Sequence, residues 1–450
     1  MGWMERIAGA DVGVLGLGRS GLAAVRALAG RARRVVAFDD DPAQIGRAVA
    51  LGAVPGEAGA ISGLAALVVS PGVPLTHPAP HPVVRAAAEA GVPRIADLDL
   101  LAGRLGERRV VGVTGTNGKS TTTALIHHIL TGSGRAAVMG GNIGVPVLDM
   151  DLGPADAVVV LELSSYQLDL IQDLPIDIAV WTNISPDHLD RHGDLAGYVR
   201  AKEKLFRHGR DHATAAIGVD DQESRQVLAR LAGQGTHRIV PVSGGEMPGG
   251  GVGVVEGRLI DASDKTSRFV ADLSQATTLR GRHNHQNAAA AYAAVRALGG
   301  LAPRLVAERM FDFPGLPHRM EQVALENGVR WVNDSKATNP DAAGRSLGAF
   351  DQVVWIAGGR PKPGGFRSLA PAMANVRAAL LIGEAADAIA EDLGGLVDCR
   401  KLGTLDEAVA AARELATPGT TVLLAPACAS FDQFRDYEAR GERFRDLVKG

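Results

Sequence analysis

Cysteine is nearly absent from this 450-residue chain, which contains only Cys399 and Cys428. Two thiols cannot build a disulfide framework or a four-cysteine zinc site, so a reducing compartment is the simpler setting. A surplus of positive charge is also missing, with a formal net charge of −3 and a pI near 6.5. A nucleic-acid partner is therefore not expected, and phosphate groups must be held by local loops rather than by an overall field. No apolar run reaches the roughly 20 residues of a membrane span, so membrane insertion is not expected. Met1–Ala10 has no apolar stretch after a basic cluster and does not read as a signal peptide. These absences together point to a cytoplasmic protein.

The chain has 46% hydrophobic and 22% charged residues, the balance of an ordinary globular protein. Its length suggests about two to four domains, with three as the central expectation. Short apolar runs bounded by Gly, Pro or Asp alternate with Ala-rich stretches. Strands are predicted at Asp11–Leu15, Arg34–Phe38 and Ala65–Val69, with a helix at Ser20–Leu28. A second unit starts near Asp97, with strands at Val110–Val113, Ala157–Leu161 and Ile178–Trp181 and helices at Lys119–Leu130 and Asn287–Leu298. Val252–Val255 and Arg258–Ile260 flank Glu256-Gly257 and read as a hairpin added to it. A third unit starts near Leu316, with strands at Arg330–Asn333, Val353–Ala357, Ala378–Ile382 and Thr421–Leu424. This alternation predicts three α/β domains with parallel sheets, 1–97, 98–315 and 316–450.

Five stretches carry chemistry. Gly16-Leu17-Gly18-Arg19-Ser20-Gly21 follows a strand and opens a helix, and Asp39 ends the next strand. This is either a nucleotide-phosphate turn, as in a dinucleotide site, or a plain strand–helix turn. Gly115-Thr116-Asn117-Gly118-Lys119-Ser120 is sharper: its amides can wrap phosphate oxygens, Lys119 can reach terminal phosphates and Ser120 can bind Mg²⁺. Val113 stands where a standard Walker loop has its first Gly. Glu162 ends a buried strand, either as a cation-holding acid of an ATPase or as a capping acid. Asp187-His188-Leu189-Asp190-Arg191-His192 is a candidate metal loop or a polar N-cap. Lys202, by spacing alone, reads as part of a solvated amphipathic helix. Asn333-Asp334-Ser335-Lys336-Ala337-Thr338-Asn339 packs an acid, a base and hydroxyls onto one strand end, either as a ligand site, as α/β sheets place them, or as a turn into a helix starting at Asn339-Pro340.

Taken together and in this order, these motifs resemble the Mur ligases over nearly the whole chain. The phosphate loop at 115–120 is similar to that of Mur and folylpolyglutamate ligases, which accounts for Val113. Gly141-Asn142-Ile143-Gly144, Glu162-Leu163-Ser164-Ser165, Asp187–Arg191, Gly281-Arg282-His283-Asn284 with Asn287, and Leu316-Pro317-His318-Arg319 resemble further family motifs. Within the family, Asn333–Asn339, Ser70-Pro71-Gly72-Val73 and Pro426–Phe434 are similar to the member that adds D-glutamate.

The resemblance implies a Rossmann-like first domain, a central ATPase domain of P-loop type with a small β extension, and a Rossmann-like third domain. It implies an ATP-dependent ligase of peptidoglycan synthesis, acting through an acyl phosphate on UDP-N-acetylmuramoyl-L-alanine and D-glutamate. The runner-up is a related ligase using L-glutamate. The first domain would then bind UDP rather than NAD, through Gly18, Arg19, Ser20, Asp39 and Ser70, with Asn142 and His188 beside the substrate. ATP would meet Gly115, Thr116, Asn117, Gly118, Lys119, Ser120 and Thr121, with Asn284, Asn287, Arg319 and Asp334. Two Mg²⁺ ions are implied, one on Ser120 and Glu162, the other on His188 and a carbamate of Lys202. Carbamate formation needs the neutral amine, which desolvation supplies. Lys119, His188 and Lys202 would be the catalytic residues. D-Glutamate would be taken by Lys336, Thr338, Lys362, Ser430 and Tyr437, the last standing where family members often have Phe. A monomer is implied, with no nucleic acid.

Overall fold

Short β-branched runs closed by Gly, Asp or Asn build three separate sheets, and the Ala-rich stretches between them form the covering helices. The structure is a computed structural model describing residues 2–264 and 266–450.

The first sheet has five parallel strands in the order Val54–Pro55, Arg34–Phe38, Asp11–Leu15, Ala66–Val69, Arg94–Ile95. Leu15 is in register with Phe38 on one side and Val69 on the other. Gly16, Asp39 and Ser70 therefore leave three adjacent strands at one edge, where the strand order reverses, as in doubly wound folds. Gly21 has no Cβ because one would strike the Gly16 carbonyl, so helix Arg19–Leu28 can start close against the strand. Arg33 and Arg34, at the entry to strand Arg34–Phe38, both pair with Asp11.

The second sheet has nine strands, ordered Arg268–Asp272, Arg258–Asp261, Val252–Val255, Arg238–Ser243, Gly209–Gly218, Ile176–Trp181, Val110–Thr114, Val158–Glu162, Ala137–Gly141. The expected hairpin is there: Val252–Val255 runs antiparallel to Arg258–Asp261, with Glu256 and Gly257 at φ 49° and 78°, the two positive angles of a tight hairpin turn. Val110–Thr114 lies between Val158–Glu162 and Ile176–Trp181, with Val113 opposite Glu162 and Thr114 opposite Trp181. That register brings the phosphate loop, Glu162 and the Asn183 loop to one sheet end. Helix Arg282–Leu298 is buried along the run Ala288–Ala291, and these small side chains let it lie close to the sheet.

The third sheet has six strands in the order Glu321–Glu326, Val329–Asn333, Thr421–Leu424, Val353–Gly358, Val376–Ile382, Cys399–Gly403, the first antiparallel and the rest parallel. Several strands lacked a sequence signal. Cys399–Gly403 is a half-exposed edge, Arg238–Ser243 carries Pro241, and Gly209–Gly218 contains Asp211, His212 and Thr214. Among the described residues no helix is long and apolar enough to cross a membrane.

Arg440 ties the third unit together. It is 1% exposed, and its guanidinium donates to Ser335 Oγ (3.0 Å), the Ser335 carbonyl (2.9 Å) and the Cys428 carbonyl (3.2 Å). Its removal leaves buried carbonyls without donors. Arg440→Met should lower stability by about 3 kcal/mol, the upper range for charged hydrogen bonds, as a lower urea midpoint followed by tryptophan fluorescence. An unchanged midpoint would show that the carbonyls find other donors.

Candidate active site

The phosphate loop leaves strand Val110–Thr114 and enters helix Lys119–Gly132. Gly115 (φ 143°) and Gly118 (φ 84°) take angles L side chains avoid, and a Cβ on Gly118 would strike Asn287 Oδ1. The loop is held from the next strand end: Asn183 Oδ1 accepts from the Asn117 amide (3.0 Å) and Thr182 Oγ1 donates to the Asn117 carbonyl (2.7 Å). Lys119 folds back to donate to the Gly115 (3.0 Å) and Thr116 (2.7 Å) carbonyls. Free amides at the helix start, with no acid in the first turn, make this end attractive to anions.

Glu162 is 2% exposed. Its Oε1 accepts from Asn142 Nδ2 at 2.8 Å, and its Oε2 is buried with no partner. Burial pushes its carboxyl pKa up, but the charges of Lys119 and Arg319 outweigh burial and hold it below the usual range. Ser120 Oγ accepts from Arg319 Nη2 at 2.7 Å. An ionised carboxylate with a spare oxygen, beside a hydroxyl at a phosphate loop, fits Mg²⁺, which takes one or two protein oxygens and completes its shell from phosphates and water. Among the described residues no group of three or more His, Cys, Asp and Glu side chains forms a ready-made metal cage.

His188 stands at φ 53°, with Nδ1 3.0 Å from the Tyr166 hydroxyl and Nε2 3.7 Å from Asp187 Oδ2. Burial and neighbouring lysines lower its pKa despite Asp187. Lys202 departs from the solvated position that spacing suggested. It is 1% exposed, donates to the Gly115 carbonyl (2.8 Å) and Thr114 Oγ1 (3.3 Å), and lies 4.8 Å over the Tyr198 ring. Burial first, and the Lys119 charge second, hold its pKa well below that of a free lysine. The helix Leu195–Arg207 is amphipathic, but Lys202 lies on its inner face with Tyr198 and Leu205.

A cavity of about 240 Å³ opens over the loop. Its walls include Thr116, Asn117, Gly118, Lys119, Thr121, Asn142, Glu162, His188, Asn284 and Asn287 from the second unit, and Arg319, Asp334, Lys336, Thr338 and Lys362 from the third. Lys362 donates to Asp187 Oδ1 at 3.2 Å. The Lys336 ammonium sits 3.6 Å from the centre of the Tyr437 ring, which lies behind it. Asp334 is buried, accepts from Ser346 Oγ and the Met320 amide, and burial raises its pKa. Gly115, Ser120, Lys202 and Ser430 do not line the cavity; Ser430 is buried, its carbonyl accepting from the Gln433 and Phe434 amides.

The first-unit candidates form a separate group. The Leu17 amide donates to Asp39 Oδ2 (2.5 Å) and Ser70 Oγ donates to the Gly16 carbonyl (2.5 Å), while Arg19 donates to the Gly144 carbonyl (2.9 Å) beside Asn142. Ser20 is hydrogen-bonded to the buried Asp97, whose carboxyl burial raises to about 6.

Sequence reasoning passed over Asp341. Its Oδ2 accepts from Asn117 Nδ2 (2.5 Å) and Ser185 Oγ (2.8 Å), joining the third unit to the phosphate loop. The only signal was its place after Asn339-Pro340 at a helix start. Asp187 stood in a quoted motif but was given no role of its own.

The family model described as Mur ligase middle domain matches residues 113–295, and the one described as Mur ligase, glutamate ligase domain matches 318–428. The chain belongs to the Mur ligase family. This Mur ligase is 48% identical to the UDP-N-acetylmuramoylalanine--D-glutamate ligase of Rhodospirillum rubrum, over 99% of this chain and 95% of that one. It is 46% identical to the protein of that name from Caulobacter vibrioides (98% and 95%) and 48% identical to that from Ruegeria pomeroyi (99% and 98%). In fold, it is similar to the UDP-N-acetylmuramate-alanine ligase MurC of Thermotoga maritima (TM-score 0.58, 19% identity, 98% and 99% covered). It is also similar in fold to MurF ligase of Thermotoga maritima in complex with ADP (TM-score 0.57, 17% identity, 81% and 91% covered).

Burial, then the Arg319 charge, lowers the Lys336 pKa to about 8. An unfolded lysine keeps its proton to about 10.4. Across that window the unfolded chain binds more protons, so this residue's contribution to stability rises with pH from about 8 upward. Amine labelling read by mass spectrometry should give Lys336 a midpoint near pH 8. A midpoint near 10.4 for Lys336 would refute the assignment.

Proposed function

We propose that this Mur ligase joins D-glutamate to UDP-N-acetylmuramoyl-L-alanine with ATP, in the synthesis of peptidoglycan precursors. The observation that carries the reading is the meeting, in one cavity, of a phosphate loop from the second unit with Lys336, Thr338 and Lys362 from the third. The full-length similarity to D-glutamate ligases gives that cavity its substrates.

A carboxylate is a poor acyl donor because oxide is a poor leaving group. The alanyl carboxylate attacks the γ-phosphorus of ATP, ADP leaves, and an acyl phosphate forms. The neutral amine of D-glutamate then attacks the acyl carbon, phosphate leaves with the bonding pair, and the nitrogen releases one proton to solvent as the amide forms. Lys119, already at the loop, stabilises charge on the transferring phosphoryl oxygens. Asn284, Asn287, Arg319 and Asp334 line the nucleotide end of the cavity. Lys336 and Lys362 are the cations for the glutamate carboxylates, with Thr338 beside them in the cavity and Tyr437 behind Lys336, while Ser430, buried outside the cavity, is the remaining contact of this reading. Gly18, Arg19, Ser20, Asp39 and Ser70 form the UDP end, with Asn142 and His188 between it and the phosphate loop.

Mg²⁺, when bound, would screen the phosphoryl oxygens, with Ser120 and Glu162 holding one ion and His188 and Lys202 the second. As an ammonium Lys202 repels a cation; as a carbamate it offers two oxygens and a negative charge. Its burial beside Lys119 favours the neutral amine from which a carbamate forms. The reading divides the chain at 97/98 and 315/316. A monomer and a cytoplasmic site of action belong to the same reading, the latter supported by its nucleotide substrates.

Phosphate release from ATP with UDP-N-acetylmuramoyl-L-alanine should depend on D-glutamate. Release with L-glutamate alone would overturn the substrate assignment, and release with neither would overturn the reaction. Lys119→Ala should lower kcat by about 10²–10³, the range for losing one preorganised charge-stabilising donor. With ¹³C-bicarbonate, a carbamate carbon signal should be present in the parent protein and missing from Lys202→Ala.

A further inference from the structure

His188 has two ring nitrogens, and only one can face a cation. Nδ1 lies 3.0 Å from the Tyr166 hydroxyl, whereas Nε2 lies 3.7 Å from Asp187 Oδ2, too far for a hydrogen bond. The backbone adds to this choice, since His188 sits in the left-handed region at φ 53° as the N-cap of helix Leu189–His192, which limits where its ring can point.

Tyr166 is held from several directions. It stands on helix Ser165–Leu170, four positions after Glu162, and the turn into that helix is closed by a capping box between Ser164 and Gln167. The Arg191 guanidinium lies 5.4 Å from the Tyr166 ring centre and the His192 ring 5.7 Å from it. Arg191 also donates to the Val73 carbonyl at 2.8 Å, so the ring is braced from the first unit. The Tyr166 and His188 rings are 5.0 Å apart and tilted by 58°.

We infer that Tyr166 is a positioning residue for His188: its hydroxyl accepts the Nδ1–H and leaves the Nε2 lone pair free to face a divalent cation in the cavity. A histidine that ligates a metal commonly donates its other N–H to an oxygen, which fixes tautomer and ring orientation. Here the oxygen is a phenol, whose own proton is free to point to solvent. Phenylalanine at 166 would keep the ring packing and lose this oxygen. The inference rests on the reading of His188 as a cation ligand, so the test separates the two.

Histidine-¹⁵N NMR of the metal-free protein, with His188 identified by its loss in His188→Gln, should give the Nδ1–H tautomer in the parent. In Tyr166→Phe the His188 signals should move toward the Nε2–H form. Mn²⁺ titration with a non-hydrolysable ATP analogue, followed by electron paramagnetic resonance, should give about tenfold weaker binding of one ion in Tyr166→Phe. The KM for D-glutamate should stay unchanged while kcat falls. An unaltered tautomer together with parental Mn²⁺ affinity in Tyr166→Phe, while His188→Gln weakens binding, would overturn the inference alone. Parental Mn²⁺ affinity in His188→Gln would overturn the ligand reading and the inference with it.

Discussion

Two lysines share one oxygen. Lys119 and Lys202 both donate to the Gly115 carbonyl, at 3.0 Å and 2.8 Å. Burying an ammonium costs several kcal/mol even after the protein relaxes around it. Lys202 has that carbonyl, the Thr114 hydroxyl, the face of Tyr198 and the more distant charges of Asp187 and Glu162 to offset this. The repulsion eases when Lys202 loses its proton, and it eases further when anionic oxygens arrive above the loop. Burial is the first cause of the depressed pKa values of both lysines, the Lys119 charge adds to it at Lys202, and this crowding of positive charge gives the cavity its appetite for anions.

The contacts that hold the second and third units together have the same character. Arg319 donates to the Ser120 hydroxyl, Lys362 to Asp187, and Asp341 accepts from Asn117 and Ser185. The first two use groups that a phosphorylated substrate and its cation would also claim. Binding therefore exchanges hydrogen bonds more than it creates them, and the net gain lies in placing anionic oxygens among Lys119, Arg319, Lys336 and Lys362. Asp341 is different, since it joins backbone-anchored parts of two units and needs no ligand to do so.

The sheet interiors were legible in the sequence because their signal is local. Asp11–Leu15, Arg34–Phe38 and Thr421–Leu424 have the predicted bounds, and in each a polar first residue leads into a short apolar stretch with a clear stop. Edge strands were not legible, because half-exposed strands such as Cys399–Gly403 mix polar and apolar residues without a period. At the cavity, the Gly115–Ser120 loop could be read from local chemistry, since glycines before a Lys-Ser pair at a helix start have few other uses. Lys202 could not be read this way. Its helix has an ordinary amphipathic pattern, and nothing in the spacing says that one lysine lies on the inner face. Asp341 reaches a loop more than two hundred positions earlier in the chain, a separation no local pattern encodes.

An acyl phosphate in open water is lost to hydrolysis, so the chemistry needs a chamber that is dry while the intermediate exists. A cavity within one rigid domain would be dry but hard to fill with a nucleotide, a sugar nucleotide and an amino acid. Here the phosphate loop and Glu162 stand on the strand ends of one sheet, and Lys336, Thr338 and Lys362 on those of another. Neither sheet alone encloses the roughly 240 Å³ between them. The site is complete where the two units meet. Arg319–Ser120 and Lys362–Asp187 across the gap use groups that ligands can also claim, so a substrate that enters can replace a bond the two units already make. Spreading the site over separate sheets thus reconciles access with dryness, at the expense of carrying buried lysines whose charge only the ligands fully offset.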